Sequence, residues 1–97
     1  MYARVVRWEG AEAEAMKRSA AQISSEAASG PPEGVPAKRF LLLQDTAGGK
    51  AMAIFFFETE DDYRRGDETL NAMSPPGEGL GARVGVDRYE VAFELEP

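Results

Sequence analysis

Cysteine and histidine are both missing from this chain of 97 residues, and tryptophan occurs once. Without cysteine there are no disulfides, thiol nucleophiles or thiolate metal sites. Without histidine the commonest general base and the commonest metal ligand are gone as well. Long apolar runs are also lacking: the longest, Ala51 to Phe57, falls far short of the roughly 20 residues of a membrane-spanning helix. Cations are in the minority, with 11 Lys and Arg against 17 Asp and Glu for a formal charge of -6. They are scattered singly or in pairs rather than forming a stripe, which argues against nucleic acid as a partner. The pattern from Met1 onward has no basic start, apolar stretch and small-residue cleavage site, so cytoplasmic residence is the expectation.

What is present fits one domain, residues 1–97, because a chain of this size closes around a single core. Tyr2 to Trp8 reads as a strand with Tyr2, Val6 and Trp8 on one face and Ala3 and Val5 on the other. Ala11 to Ala28 is rich in helix formers, and Met16, Ala20, Ile23 and Ala27 make one apolar stripe. Glu14 stands one turn before Lys17 and Arg18. Ser29, Gly30, Pro31 and Pro32 stop that helix.

Lys38 to Asp45 and Lys50 to Glu58 read as a hairpin turning through Thr46, Ala47, Gly48 and Gly49. Thr59 caps a second helix whose first turn carries Glu60, Asp61 and Asp62, charges suited to the positive end of a helix dipole. That helix is expected to reach about Met73 and to stop at Pro75 and Pro76. Val84 to Leu95 is expected as the last strand region. Its apolar parity changes between Val86 and Tyr89, which predicts a β-bulge near Asp87 and Arg88.

The order is β-α-β-β-α-β, and GPPEGVPAKR after the first helix echoes SPPGEGLGAR after the second. Two right-handed β-α-β crossovers side by side give an α+β, ferredoxin-like fold: a four-stranded antiparallel sheet with both helices on one face. The hairpin breaks the alternation expected of a sheet with one wet face. Phe40 to Leu43 and Met52 to Phe57 are continuously apolar and place large side chains on both faces. A homodimer joined through the second face, a ligand cavity, or both accounts for this.

The chain resembles the antibiotic-biosynthesis-monooxygenase-like members of the dimeric α+β barrel superfamily. The resemblance lies in layout and local patterns over nearly the whole length: MYARVVRWEG as opening strand, KRFLLLQDTAGGKAMAIFFFETEDDYR as hairpin and second helix, and VDRYEVAFEL as closing strand. It implies a dimeric α+β barrel, in a superfamily that includes cofactor-independent oxygenases, haem-degrading enzymes and isomerases. The haem-degrading branch has a tryptophan near the end of the third strand and an iron-ligating histidine on the second helix. Here that strand ends Phe55, Phe56, Phe57 and histidine is absent, so haem degradation is disfavoured.

Only carboxylates, tyrosines and arginines are left to do chemistry. Asp67 falls four residues after Tyr63 and three before Leu70, on or beside the stripe facing the sheet. There it is a candidate base toward an activated phenol or enol, or alternatively a boundary residue paired with Arg4 or Arg39. Gly66 beside it permits close approach of a ligand or of the sheet. Trp8, Tyr63, Tyr89, Phe55 and Phe57 are candidate walls for a flat aromatic molecule, with Tyr63 or Tyr89 as candidate donor to its oxygen, although most aromatic side chains are core. Arg4 and Arg7 project from opposite faces, so one of them can hold an anionic group in a cavity.

The acidic cluster at Glu58, Glu60, Asp61 and Asp62 suits a helix start better than a metal site. GGK is no phosphate loop, since Gln44 stands where a glycine is required and Ala51 follows Lys50. GEGLGA precedes a strand rather than linking strand to helix, and no G-x-S-x-G elbow occurs. Neither metal nor cofactor is expected. Two functions stand: a cofactor-independent monooxygenase-like enzyme acting on an apolar aromatic small molecule, or a non-catalytic dimeric module binding a small hydrophobic ligand or a protein.

Overall fold

The structure, a computed structural model, describes residues 1–72 and 80–96. Six elements follow in the order β1 (Tyr2–Glu9), α1 (Ala13–Ala27), β2 (Arg39–Asp45), β3 (Lys50–Phe57), α2 (Glu60–Ala72) and β4 (Ala82–Glu90). The four strands form one antiparallel sheet in the order β2-β3-β1-β4. This arrangement is compatible with the ferredoxin-like fold. The expected end of α2 at Met73 and its stop at Pro75 and Pro76 lie outside the described residues, as does most of the second proline-glycine loop.

Local chemistry explains the boundaries. In the hairpin, Gly48 N donates to Asp45 Oδ1 at 3.0 Å, and Gly49 adopts φ 68° so that its carbonyl accepts from Gly10 N at 2.9 Å and Ala11 N at 3.1 Å. The turn is thereby seated on the junction between β1 and α1. Thr59 caps α2: its Oγ1 accepts from Asp62 N at 3.1 Å. The acidic first turn is then engaged by Arg64 on Glu60 at 2.7 Å and by Arg65 on Asp61 and Asp62 at 3.2 and 3.1 Å. At the end of α1, Gly30 takes φ 95° and donates to Ala27 O at 3.0 Å.

Parity along β1 sorts the core. Val6 and Trp8 pack with Met16 of α1, Ala51, Ala53 and Leu80. Phe57, Val35 and Tyr63 of α2 form a second cluster, joined by Tyr2 and Phe55. Both helices therefore lie on the face that carries Tyr2, Arg4, Val6 and Trp8. Met16, Phe57 and Leu80 are fully buried, each contributing about 1.5–3 kcal/mol. Gln44 Nε2 donates to Met16 O at 3.0 Å, tying β2 to α1. Toward its C-terminal end α1 sits less closely: Ile23 is half-buried and Ala27 is exposed.

Two expectations about the last strand are corrected. β4 ends at Glu90, and Val91 to Leu95 continue outside any strand. The reason is the partner: β4 pairs only with β1, and their ladder ends with Tyr2 opposite Glu90, followed by a single bond from Val91 N to Met1 O at 2.9 Å. The bulge is also not near Asp87 and Arg88. Register passes from Arg7 opposite Gly85 to Trp8 opposite Arg83, so Val84 is the extra residue. The change of apolar parity between Val86 and Tyr89 falls in a regular stretch of β4, where Val86 faces the helices opposite Val6 and Tyr89 faces away opposite Ala3.

Beyond β4 the chain reaches the far edge strand, where Glu94 Oε1 accepts from Arg39 Nη1 at 3.3 Å. Phe93 and Leu95 are 79% and 76% exposed. No helix of the described residues is long and apolar enough to cross a membrane.

Candidate functional site

A cavity of about 710 Å³ lies where α1 stands off the sheet. Its floor is the helix-facing side of the sheet: Val6 and Trp8 from β1, Phe40 and Leu42 from β2, Ala53 and Phe55 from β3. Ile23 and Ala27 of α1 and Leu70 of α2 close it, and the exposed Glu26, Lys38 and Arg39 stand at its rim. The floor is apolar because these six positions share the even parity of β1 or oppose it across the ladders. Phe40 and Phe55 are cross-strand partners with ring centroids 4.6 Å apart.

One polar side chain enters this floor from within. Arg4 is 3% exposed and lines the cavity, because it alternates with Tyr2 and Val6 onto the helix side. Its Nε donates to Asp67 Oδ1 at 2.7 Å and its Nη2 to Asn71 Oδ1 at 2.8 Å. Asp67 and Asn71 are one turn apart on α2, so a single helix face grips two edges of the guanidinium. Among the described residues no partner takes Nη1, and none of their buried side-chain polar atoms is left unpaired.

Of the residues singled out from the sequence, Arg4, Trp8 and Phe55 meet around the cavity. Asp67 stands behind them, joined through Arg4, in the ion-paired arrangement that was the alternative to a free base. Tyr63 and Phe57 pack against each other edge to face at 5.6 Å in the neighbouring cluster and do not line the cavity. Tyr89 lies opposite Ala3 on the other face of the sheet and is exposed. Arg7 shares that other face, crossing β4 to Asp87 at 3.3 Å.

Burial pushes the Tyr63 phenol above its ordinary value; the Asp67 charge acts in the same direction, while Arg4 and Arg88 pull the other way. The Arg88 guanidinium lies over the Tyr63 ring at 5.0 Å and the Tyr2 ring at 5.1 Å. Tyr63 therefore stays a neutral hydroxyl at neutral pH. Gly66 is explained by the sheet: a Cβ there would collide with Cε1 and Cζ of the Phe57 ring. Sequence reasoning missed Asn71 and Arg83. The four-residue spacing from Asp67 to Asn71 was the available signal for the first, whereas the second depends on the bulge.

The chain matches no protein-family model and no curated protein. Its likeness to the dimeric α+β barrel proteins rests on layout and local sequence pattern.

Proposed function

We propose that this domain binds an apolar aromatic small molecule in the cavity between α1 and the sheet. The observation that carries this reading is the buried Arg4, held at two of its nitrogens by α2 and set into an otherwise apolar floor. A cavity with hydrophobic walls and few convergent polar groups is the usual form of a small-molecule site. The walls supply burial, and the guanidinium supplies one oriented donor for a ligand oxygen. An amide NMR titration with 2-naphthol tests this. Saturable shifts confined to Val6, Leu42, Ala53 and Phe55 support it; shifts confined to Leu41, Leu43 and Ile54 on the opposite face contradict it.

The enzyme reading is favoured by the same arginine. In a cofactor-independent monooxygenase-like reaction the substrate, as phenolate or enolate, supplies the electrons to oxygen. Arg4 would stabilise the negative oxygen, with Asp67 as the group that positions Arg4, while Tyr63, outside the cavity, would act only through the packing around that pair. Oxygen uptake with quinol-type compounds tests these roles: loss in Asp67→Asn with turnover kept in Tyr63→Phe supports them, and unchanged turnover in Asp67→Asn removes them. Binding without any turnover in the native chain leaves the non-catalytic module as the function.

We further propose a homodimer, forming a dimeric α+β barrel, with a second copy of the chain covering the outer face of the sheet. Leu41, Leu43, Met52, Ile54 and Phe56 share that face, each half-buried or exposed. The exposed Phe93 and Leu95 belong to the segment that returns toward β2. Self-association removes this apolar area from water at once on both copies. Light scattering at micromolar concentration reads the result directly: a dimer that Leu43→Asp dissociates supports the proposal, and a monomer contradicts it.

A further inference from the structure

The charges around the cavity are the reverse of those on the chain as a whole. Acids outnumber bases in the sequence, 17 to 11, yet the cavity is lined by Arg4, Lys38, Arg39 and Arg83 against the single acid Glu26. Three of these cations already have anionic partners. Lys38 meets Glu58 at 3.1 Å and Arg39 meets Glu94 at 3.3 Å, both in water. Arg4 with Asp67 makes a locally neutral pair, a donor rather than a net charge. Among the described residues Arg83 has no ion pair, and Glu26 accepts instead from Gln22 at 3.3 Å.

Arg83 reaches the cavity through the bulge. On a regular β4 the odd-numbered residues Gly85, Asp87 and Tyr89 face away from the helices, opposite Arg7, Val5 and Ala3. Arg83 would join them. The extra residue Val84 reverses the parity, so Arg83 lies opposite Trp8 on the face of Val86 and lines the cavity. Bulges re-aim side chains in this way. Arg4 and Trp8 are four residues apart, which puts Arg4 and Arg83 at opposite ends of the floor, about 13 Å along the strand.

We infer that the cavity selects anionic ligands: Arg83 takes the carboxylate or sulfonate of an apolar aromatic acid whose rings lie on Trp8 and Leu42. The inference rests on the cavity being a ligand site and adds the charge of what enters it. A net positive side chain at the mouth attracts an anion, and the apolar floor removes the rings from water.

The test uses two fluorescent probes that differ by one group, 8-anilinonaphthalene-1-sulfonate and neutral N-phenyl-1-naphthylamine. The sulfonate is expected to bind about five- to tenfold more tightly, the worth of one partly exposed ion pair. That advantage shrinks between roughly 10 mM and roughly 1 M salt as the screening length falls from about 30 Å to about 3 Å. Arg83→Gln is expected to make the two affinities equal, and Arg83→Lys to restore part of the difference.

Leu42→Trp, which fills the cavity, is expected to weaken both probes, and Ala47→Trp in the exposed hairpin turn neither. Equal affinities in the native chain, or a preference that survives in Arg83→Gln, overturn the charge selection and leave the cavity standing. Failure of both probes to bind, or unweakened binding in Leu42→Trp, overturns the cavity reading itself.

Discussion

Arg4 and Asp67, sixty-three positions apart, meet at 2.7 Å with the arginine almost wholly enclosed and the carboxylate a third exposed. That asymmetry decides which partner is dispensable. Removing Asp67 leaves an almost wholly enclosed guanidinium with Asn71 as its remaining partner, whereas removing Arg4 leaves a carboxylate that water can reach.

Asp67→Ala is therefore expected to destabilise the fold by about 2–3 kcal/mol, below the full cost of breaking a buried pair because Asp67 is partly solvated. Arg4→Met, which keeps the packing and removes the buried charge, is expected to cost less than half as much. Urea unfolding at pH 7 measures both. Equal losses would show that the pair contributes packing rather than charge compensation.

Tyr63 sets the alkaline limit. Its phenol is raised in the folded chain by burial, so the folded form keeps its proton where the unfolded form, with an ordinary value of about 10, has begun to lose it. The contribution is complete below pH about 10 and is lost as pH rises through the higher folded value. Stability measured from pH 8 to 11 is expected to fall less steeply above pH 10 in Tyr63→Phe than in the native chain. Parallel curves would mean that the ring is not shielded as described.

Gly66→Ala sets two effects against each other. Alanine is worth about 1 kcal/mol over glycine in a helix. The added methyl meets the fully buried Phe57 ring, and overpacking of that kind costs about 1–3 kcal/mol. The collision is expected to win, lowering the thermal midpoint; a raised midpoint would show that α2 can lift from β3.

Much of the frame was legible because it is written locally. Alternation in Tyr2 to Trp8 grouped Tyr2, Val6 and Trp8 on one face, Thr46 to Gly49 marked the hairpin, and Thr59 with three acids marked the start of α2. The end of β4 was not legible, since a strand stops where its ladder does, and the pairing with β1 ends at Tyr2 opposite Glu90. The position of the bulge and the placement of Arg83 depend on that same pairing. Asn71 stood in plain view four residues after Asp67, yet its partner Arg4 lies on another element, which no helical periodicity reveals. The apolar outer face was visible in Leu41 to Leu43 and Ile54 to Phe56 as a broken alternation.

Trp8 offers the most direct measurement, because it is the chain's one tryptophan, is 5% exposed and forms part of the cavity floor. Its fluorescence should be quenched by 1,4-naphthoquinone, a flat neutral aromatic that finds no thiol to attack in this chain. The account predicts saturable quenching with one site per chain, weakened in Leu42→Phe by competition for the same space. Quenching that rises linearly without saturation, as for collisions with a buried indole, would contradict it.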